Sequence, residues 1–108
     1  VQPMTRAEVD AAVYEPLPED YQQQIQNQME GRLKDPDSAS YKFFAPRKGY
    51  TEATRHFGYV VPVAINAKNS YGGFVGYKDY YFSYYQGSFK DVTDGVKWDA
   101  VKWSDEVR

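Results

Sequence analysis

His56 is the only histidine in this chain of 108 residues, and the chain has no cysteine. A histidine can act as a general base beside a nucleophile, but no serine in a strained turn accompanies His56. We interpret His56 as a surface or structural residue and predict no catalytic residue. A small hydrolase that pairs His56 with a nearby carboxylate stays open as an alternative. The absence of cysteine excludes disulfides, thiolate zinc sites and cysteine nucleophiles.

Two carboxylates flank a proline in Asp35-Pro36-Asp37. Such oxygens could hold calcium, but the segment lacks the further oxygen ligands and the glycine of an EF-hand loop. The end of a helix followed by an Asx turn explains the same residues. We therefore predict no metal site and no cofactor.

Three glycines lie in residues 69–76. A glycine-rich loop cradles phosphate when it follows a strand and opens a helix. Here the next residues are Tyr77-Lys78-Asp79-Tyr80-Tyr81, which have the composition of a strand. The segment therefore predicts a turn between two strands, and such a turn can also contact a partner.

Aromatic residues crowd the strand that follows this turn. Because side chains alternate along a strand, Tyr80, Phe82 and Tyr84 share one face, and Tyr77, Tyr81 and Tyr85 share the other. A two-layer domain buries only one of these faces, and tyrosine suits a contact surface because it joins an apolar body to a polar tip. The predicted binding residues are Asn69, Tyr71, Gly72, Gly73, Tyr77, Lys78 and Tyr81. Two alternatives stay open: the inverse face assignment, and cross-strand aromatic pairs that only stabilise the sheet.

The formal net charge is −2, and no block of like charge stands out. Aromatic side chains on a sheet also suit base stacking, which normally accompanies a basic groove. The basic residues are diluted by acids, so we predict no nucleic-acid partner. No run of about eighteen apolar residues occurs, so no membrane-spanning helix is predicted.

The first part of the chain has helical patterns. Thr5-Arg6-Ala7-Glu8 has the spacing of a capping box and predicts a short helix over residues 6–13. A second helix is predicted after Pro18, with Tyr21, Ile25, Met29 and Leu33 as its apolar stripe. The pair Asp35-Pro36 ends this helix.

The rest of the chain has strand patterns. Residues 41–44 predict a first strand, and residues 46–49 predict a turn. Residues 56–67 alternate as a second strand, in which Pro62 favours an edge position or a bulge. A third strand is predicted at 74–86, and a last strand, with helix as the alternative, at 96–103.

This order of elements predicts an α+β fold. We expect N-terminal helices packed on a small antiparallel sheet of three to four strands. The prediction is one domain, residues 1–108, with a helical part at 1–36 and a mainly antiparallel sheet at 37–108.

Two motifs carry a resemblance. The segment Leu33-Lys34-Asp35-Pro36-Asp37-Ser38-Ala39 ends the second helix, and residues 66–77 read NAKNSYGGFVGY. Together they resemble a family of small, mostly uncharacterised proteobacterial proteins, many of which look like exported proteins or lipoproteins with a signal sequence. The resemblance spans about residues 25–86. It implies an extracytoplasmic location, periplasmic or tethered to the outer membrane.

This chain departs from the family at one place. Members often carry a cysteine and a glycine where this chain has Val61-Pro62-Val63, so no redox or disulfide role carries over. No catalytic residue of the family can be transferred either. The chain begins at Val1 rather than at a methionine, and we expect that a signal peptide or an upstream stretch has been removed.

These observations predict a non-enzymatic binding or interaction domain of the bacterial envelope. The expected partner is an envelope protein or a cell-wall saccharide, and the only expected link to a membrane is a lipid on a removed cysteine. The alternatives are the hydrolase that uses His56 and a structural subunit whose sheet edge pairs with its copy in a dimer.

Overall fold

Three helices and six strands make up the chain in the computed structural model, which describes residues 2–108. Val1, on which the expectation of upstream processing rests, lies outside the described residues. The helices are α1 (Arg6–Ala11), α2 (Tyr21–Glu30) and α3 (Thr93–Lys97), and a 3₁₀ turn follows at Ser104–Glu106. The strands are β1 (Asp35–Phe43), β2 (Arg47–Thr51), β3 (His56–Lys68), β4 (Lys78–Tyr85), β5 (Ser88–Asp91) and β6 (Val101–Trp103). The α+β class predicted from the sequence is confirmed.

The strands form one antiparallel sheet around β3. The strand order is β5-β4-β3-β2-β6, and β1 also pairs with β3. β1 and β2 lie on the same edge of β3, because Phe43 pairs with Val63 and Arg47 pairs with Val60. β4 occupies the other edge of β3. β3 is therefore the central strand, and its two halves have different neighbours on one side.

Pro62 lies at the point on β3 where β1 ends and β2 has not begun. Its carbonyl oxygen accepts a hydrogen bond from the Phe44 amide at 2.9 Å. In an antiparallel ladder the nitrogen and carbonyl of one residue point to the same side, so the missing N–H of Pro62 also faces this interruption. The edge position predicted for Pro62 was wrong, since Pro62 sits in the central strand. The alternative of a bulge agrees with the one-residue register shift between the pairs Phe43–Val63 and Arg47–Val60.

One face of the sheet, which we call the helix face, packs against α2. Val61, Val63 and Phe82 point into this layer and are fully buried. Ile25 and Met29 of α2 meet them, because positions four residues apart lie on one side of a helix. Tyr80 and Tyr84 pack around the same cluster, so the face assignment that points Tyr80, Phe82 and Tyr84 inward is correct.

The predicted capping box starts α1. Thr5 Oγ accepts from the Glu8 amide at 3.1 Å, and Glu8 Oε1 accepts from the Thr5 amide at 3.3 Å. α1 ends at Ala11 rather than at residue 13. Val9 packs with Met4 and Tyr50 in a second small cluster, which is separate from the α2 cluster.

The other face, which we call the crossover face, is covered by the chain between β5 and β6. These strands lie at opposite ends of the strand order, so their connection, which contains α3, crosses the sheet. The Tyr81 amide donates to Thr93 Oγ at 3.1 Å and ties the start of α3 to β4. The crossing buries Val60 and Val101.

Several predicted boundaries differ from the structure. The sheet has six strands rather than three to four, because the predicted turn at 46–49 belongs to β2 and because β5 was not predicted. β1 begins at Asp35, inside the segment predicted to be helical, and β4 begins at Lys78 rather than at residue 74. Residues 96–103 contain the end of α3 and all of β6, so both assignments offered for them apply in part. The helices are not all N-terminal, since α3 follows β5.

Candidate functional site

The connection between β3 and β4, residues 69–77, is the segment in which the sequence placed most of its binding residues. We call it the end loop. β3 has thirteen residues and so extends about 43 Å at 3.3 Å per residue, against a longest molecular dimension of 49 Å. A strand of this length must run along the long axis of the molecule. The end loop follows β3 directly and therefore lies at one end of that axis.

Asn69 organises the end loop. Its Oδ1 accepts hydrogen bonds from the amides of Tyr71 at 2.9 Å and Gly73 at 3.2 Å. The Asn69 amide donates to the Gly73 carbonyl at 2.9 Å. Gly72 adopts φ +79°, a left-handed conformation that glycine adopts at little steric cost. The side chain and the glycine together define the turn, which the sequence predicted for this segment.

The other asparagine of the motif behaves differently. The Asn66 Oδ1 is buried and has no hydrogen-bond partner among residues 2–108. Asn66 pairs with Ser40 of β1. It therefore does not help to shape the end loop through this oxygen.

Large apolar side chains of the end loop face solvent. Tyr71 is 96% exposed, Val75 60%, Phe74 54% and Tyr77 45%. Four large apolar residues within seven positions form a contiguous stretch, whereas single exposed apolar residues are common on any protein. The Asn69 contacts hold the turn in shape while these side chains stay uncovered.

A pocket on the α2 side adjoins the end loop. Its basic lining residues are Arg32, Lys34, Lys68 and Lys78, and no aspartate or glutamate lines it. Asn69, Val75 and Gly76 also line it, so the pocket and the end loop share residues. We call this cavity, of about 210 Å³, the basic pocket.

The lysines of the basic pocket have no acidic partner. Among the ion pairs of residues 2–108, none involves Lys34, Lys68 or Lys78. Arg32 bonds Asp91 at 2.8 Å. Burial alone would raise the pKa of Asp91, but hydrogen bonds from Thr93 and from Arg32 hold that pKa below its usual value.

The structure does not bring all predicted binding residues into one surface. Lys78 pairs with Ile65 on the helix face, whereas Tyr81 pairs with Pro62 on the crossover face. Tyr77 precedes β4 and stacks under the Lys42 ammonium, which lies 4.3 Å from its ring centre. Asn69, Tyr71, Gly72, Gly73, Tyr77 and Lys78 therefore belong to the end loop and its margin, and Tyr81 belongs to a second site.

Tyr81 lines an open groove of about 500 Å³ on the crossover face. The rings of Tyr81 and Trp103 lie 6.4 Å apart, with Pro62 in the same lining. The Arg47 guanidinium covers the Trp103 ring at 4.5 Å. Arg47 also bonds Asp105, and this hydrogen bond lowers the pKa of the Asp105 carboxyl.

His56 begins β3 on the crossover face. Its ring stacks on Tyr85, with ring centres 4.1 Å apart. His56 also lines a pocket of about 130 Å³ under the crossing chain. Within the described part of the chain, no hydrogen bond or ion pair joins His56 to a carboxylate, which the hydrolase hypothesis would require. Residues 2–108 contain no cluster of three or more histidine, aspartate or glutamate side chains that could bind a metal ion.

Sequence reasoning missed part of this site. Phe74 and Val75 were assigned to a strand, and their exposure follows from β4 beginning later than predicted. Arg32 and Lys34 lie between α2 and β1, far from the loop in sequence, and only the fold brings them beside Lys78. The motif itself was the available signal for the turn, since an asparagine followed by glycines is typical of tight turns.

The outer edge of β1 bears on the dimer hypothesis. In residues 2–108, β1 pairs only with β3, so its other edge has no strand neighbour. An open edge can accept a strand from another chain. Dimerisation through it stays a prediction.

Comparison of the chain with protein-family models, curated proteins and solved structures gave no match. No helix formed by residues 2–108 has the length and apolar character needed to cross a membrane.

Proposed function

We propose that this protein is a non-enzymatic binding domain that acts through its end loop. The observation that carries the proposal is the exposure of Tyr71, Phe74, Val75 and Tyr77 on one short, hydrogen-bonded loop. Burial of apolar surface drives association, and aromatic residues are enriched among the contacts that contribute most to it.

The shape of the loop supports a contact role. Binding loses less conformational entropy when the contact segment is already ordered. The Asn69 side chain supplies this order through two backbone amides. The end loop can therefore present Tyr71 without being rebuilt on contact.

We place this domain in the bacterial envelope, in the periplasm or tethered to the outer membrane as a lipoprotein. The support is the resemblance of the LKDPDSA and NAKNSYGGxxGY segments to a family of mostly uncharacterised proteins, many of which look like exported proteins or lipoproteins. The second of these segments includes the end loop, so the resemblance covers the proposed contact residues.

Affinity capture from a proteobacterial envelope extract tests the contact role. The baits are the parent chain, a Tyr71→Ser/Val75→Ser variant and a control that removes two exposed apolar side chains elsewhere, Val13→Ser/Trp98→Ser. We expect a partner that the parent and the control retain and the loop variant loses. Equal retention by all three baits would contradict the proposal.

A saccharide ligand in the groove of Tyr81 is a second candidate. The observation that favours it is the pair of rings, Tyr81 and Trp103, beside Pro62 in an open groove. Aromatic rings with polar neighbours suit the apolar faces of sugars. Thermal shift with soluble cell-wall fragments tests it: the shift should disappear in Tyr81→Ala and persist in Tyr71→Ser. Absence of any shift in the parent would remove this candidate.

A further inference from the structure

We propose that the end loop and the basic pocket together bind the surface of an anionic phospholipid bilayer. In this arrangement the lysines meet lipid phosphates, and the exposed side chains of the end loop enter the interfacial region of the bilayer. The inference rests on the proposed function and names the partner of the same site.

Charge is the first support. The basic pocket gathers Arg32, Lys34, Lys68 and Lys78 in a protein whose formal net charge is −2. Its three lysines have no carboxylate partner among the ion pairs of residues 2–108. Lysines near an anionic membrane surface each contribute to binding because they are attracted to its negative potential. The pocket therefore has the charge that complements lipid phosphates.

One of the four basic groups, Arg32, is paired with Asp91, whereas no ion pair within residues 2–108 joins an acid to any of the three lysines. Asp35 and Asp37 lie at the start of β1 and do not line the basic pocket, although Asp35 stands opposite Lys68 in the β1–β3 ladder. Asp79 pairs with Ala64 on the crossover face and lines the groove of Tyr81 instead. The Asp91 carboxylate is bonded to Arg32 and leaves the lysines free.

The apolar side chains are the second support. Tyr71, Phe74, Val75 and Tyr77 combine aromatic and aliphatic character on one loop. Aromatic residues concentrate at the level of lipid headgroups, and peripheral proteins bury apolar side chains there while basic residues contact anionic lipids. Lys42 and Lys68 lie over the rings of Tyr77 and Phe74, so cationic and apolar groups alternate at this end.

Geometry is the third support. The end loop lies at one end of an elongated molecule of 49 × 28 × 20 Å, since β3 runs along the long axis. A single approach along the long axis brings both the apolar residues and the basic pocket to the bilayer, since Val75 belongs to both. A lipid surface offers both partner chemistries, phosphate and apolar interior, over an extended plane.

Vesicle flotation with the full chain tests the inference. The probes are vesicles of phosphatidylcholine alone and of phosphatidylcholine mixed with phosphatidylglycerol. We expect binding only to the mixed vesicles, with affinity that falls as salt is added. Binding to neither kind of vesicle, or equal binding to both, would overturn the inference.

Matched variants locate the contact. Lys34→Gln/Lys78→Gln should bind mixed vesicles about 30-fold more weakly, because each lysine near an anionic surface contributes a factor of about five. Lys48→Gln/Lys97→Gln removes two exposed lysines outside the pocket and should change binding less than about threefold. Equal losses of vesicle affinity in both double variants would mean that any surface lysine contributes to attraction. This result would overturn a specific site at the end loop.

A second pair of variants separates the insertion of apolar side chains into the bilayer from the electrostatic attraction of the lysines. Tyr71→Ser/Val75→Ser should lose vesicle binding, and Val13→Ser/Trp98→Ser should retain it. Circular dichroism of each variant checks that the fold is intact. Saturable binding of inorganic phosphate to the parent chain in isothermal titration calorimetry, without any vesicle binding, would identify a small-anion pocket and overturn the lipid inference.

The outcomes distinguish this inference from the proposed function. If envelope capture depends on Tyr71 and Val75 but vesicles do not bind, the partner is a protein and only the lipid inference fails. If neither capture nor vesicle binding depends on these residues, both fail.

Discussion

The α2 cluster and the end loop contain similar residue types in opposite environments. Phe82 and Val61 are fully buried between the sheet and α2, whereas Phe74 and Val75 face solvent. The difference comes from coverage. α2 has ten residues and is about 15 Å long, and β3 extends about 43 Å, so one helix covers only part of the sheet. Aromatic density by itself therefore does not distinguish a core from a contact surface; the position relative to the covering helix does.

The comparison leads to separate expectations for stability and for binding. Apolar groups in the α2 cluster should determine folding, because they lose their solvent contact on folding. Apolar groups of the end loop should determine binding, because folding leaves them exposed. The variants below test this separation, from the largest expected effect to the smallest.

Phe82→Ala should have the largest effect on stability. Phe82 is fully buried among Ile25, Met29 and Val61, so truncation removes its contacts and leaves a cavity. We expect a loss of about 3–5 kcal/mol in the free energy of unfolding, measured by urea denaturation. A loss as small as that of an exposed position would contradict the assignment of Phe82 to the core.

Gly58→Ala and Gly72→Ala compare the tightly packed sheet with the open loop. A Cβ on Gly58 would lie 2.6 Å from the Tyr84 carbonyl oxygen, a backbone atom that cannot move aside freely. We expect a loss of up to about 3 kcal/mol from this overlap. A Cβ on Gly72 would meet nothing within 4 Å, so its cost comes only from φ +79° and should be about 1 kcal/mol. Equal losses in urea denaturation would contradict this reading of the two sites.

Part of this fold follows from local sequence. The capping box at Thr5 and Glu8, the stripe of α2 and the alternation of β3 were all predicted, because each depends on residues close in sequence. The inward face of β4 followed from the same alternation. Local patterns of this kind report directly on which side of an element is apolar.

Other parts depend on partners distant in sequence. Residues 46–49, a proline followed by two basic residues and a glycine, were predicted as a turn, yet pairing with β3 and β6 on both sides makes Arg47–Thr51 a strand. Pro62 is tolerated in the central strand only because the neighbouring strand is interrupted beside it. For the same reason the basic pocket was not predicted: Arg32 and Lys78 meet only after the sheet has formed.

Asp91→Asn should lower stability without weakening the binding of anionic vesicles. Asp91 accepts from Arg32 and Thr93, which raises stability at neutral pH. We expect a loss of about 1–2 kcal/mol in the free energy of unfolding at pH 7. Because Arg32 is then released toward the basic pocket, binding to anionic vesicles should strengthen or stay the same.

The pH dependence of this loss has a definite sign. The pKa of Asp91 is lower in the folded protein than its usual value, so its stabilisation is present above the unfolded pKa of about 4 and is lost as pH falls through the folded pKa. The free energies of unfolding of the parent and of Asp91→Asn, measured by urea denaturation, should therefore converge as pH falls through the folded pKa of Asp91. A difference that grows on acidification would contradict the stabilising role of the carboxylate.

Asn69→Ala should have a small effect on stability and a larger one on binding. The amides of Tyr71 and Gly73 lose their acceptor, but both can bond water, so the expected loss is about 0.5–1 kcal/mol. Faster hydrogen exchange at these two amides, with unchanged exchange in β3 and β4, would show that only the loop has loosened. Weaker capture or vesicle binding should accompany it; unchanged binding would mean that the order of the loop does not matter.

The most direct test measures folding and binding together in Tyr71→Ser/Val75→Ser. The account predicts a free energy of unfolding within about 0.5 kcal/mol of the parent, together with loss of binding to envelope partners or anionic vesicles. A variant that unfolds much more easily while its folded fraction binds as the parent does would contradict the central claim, because the end loop would then serve the fold and not the contact.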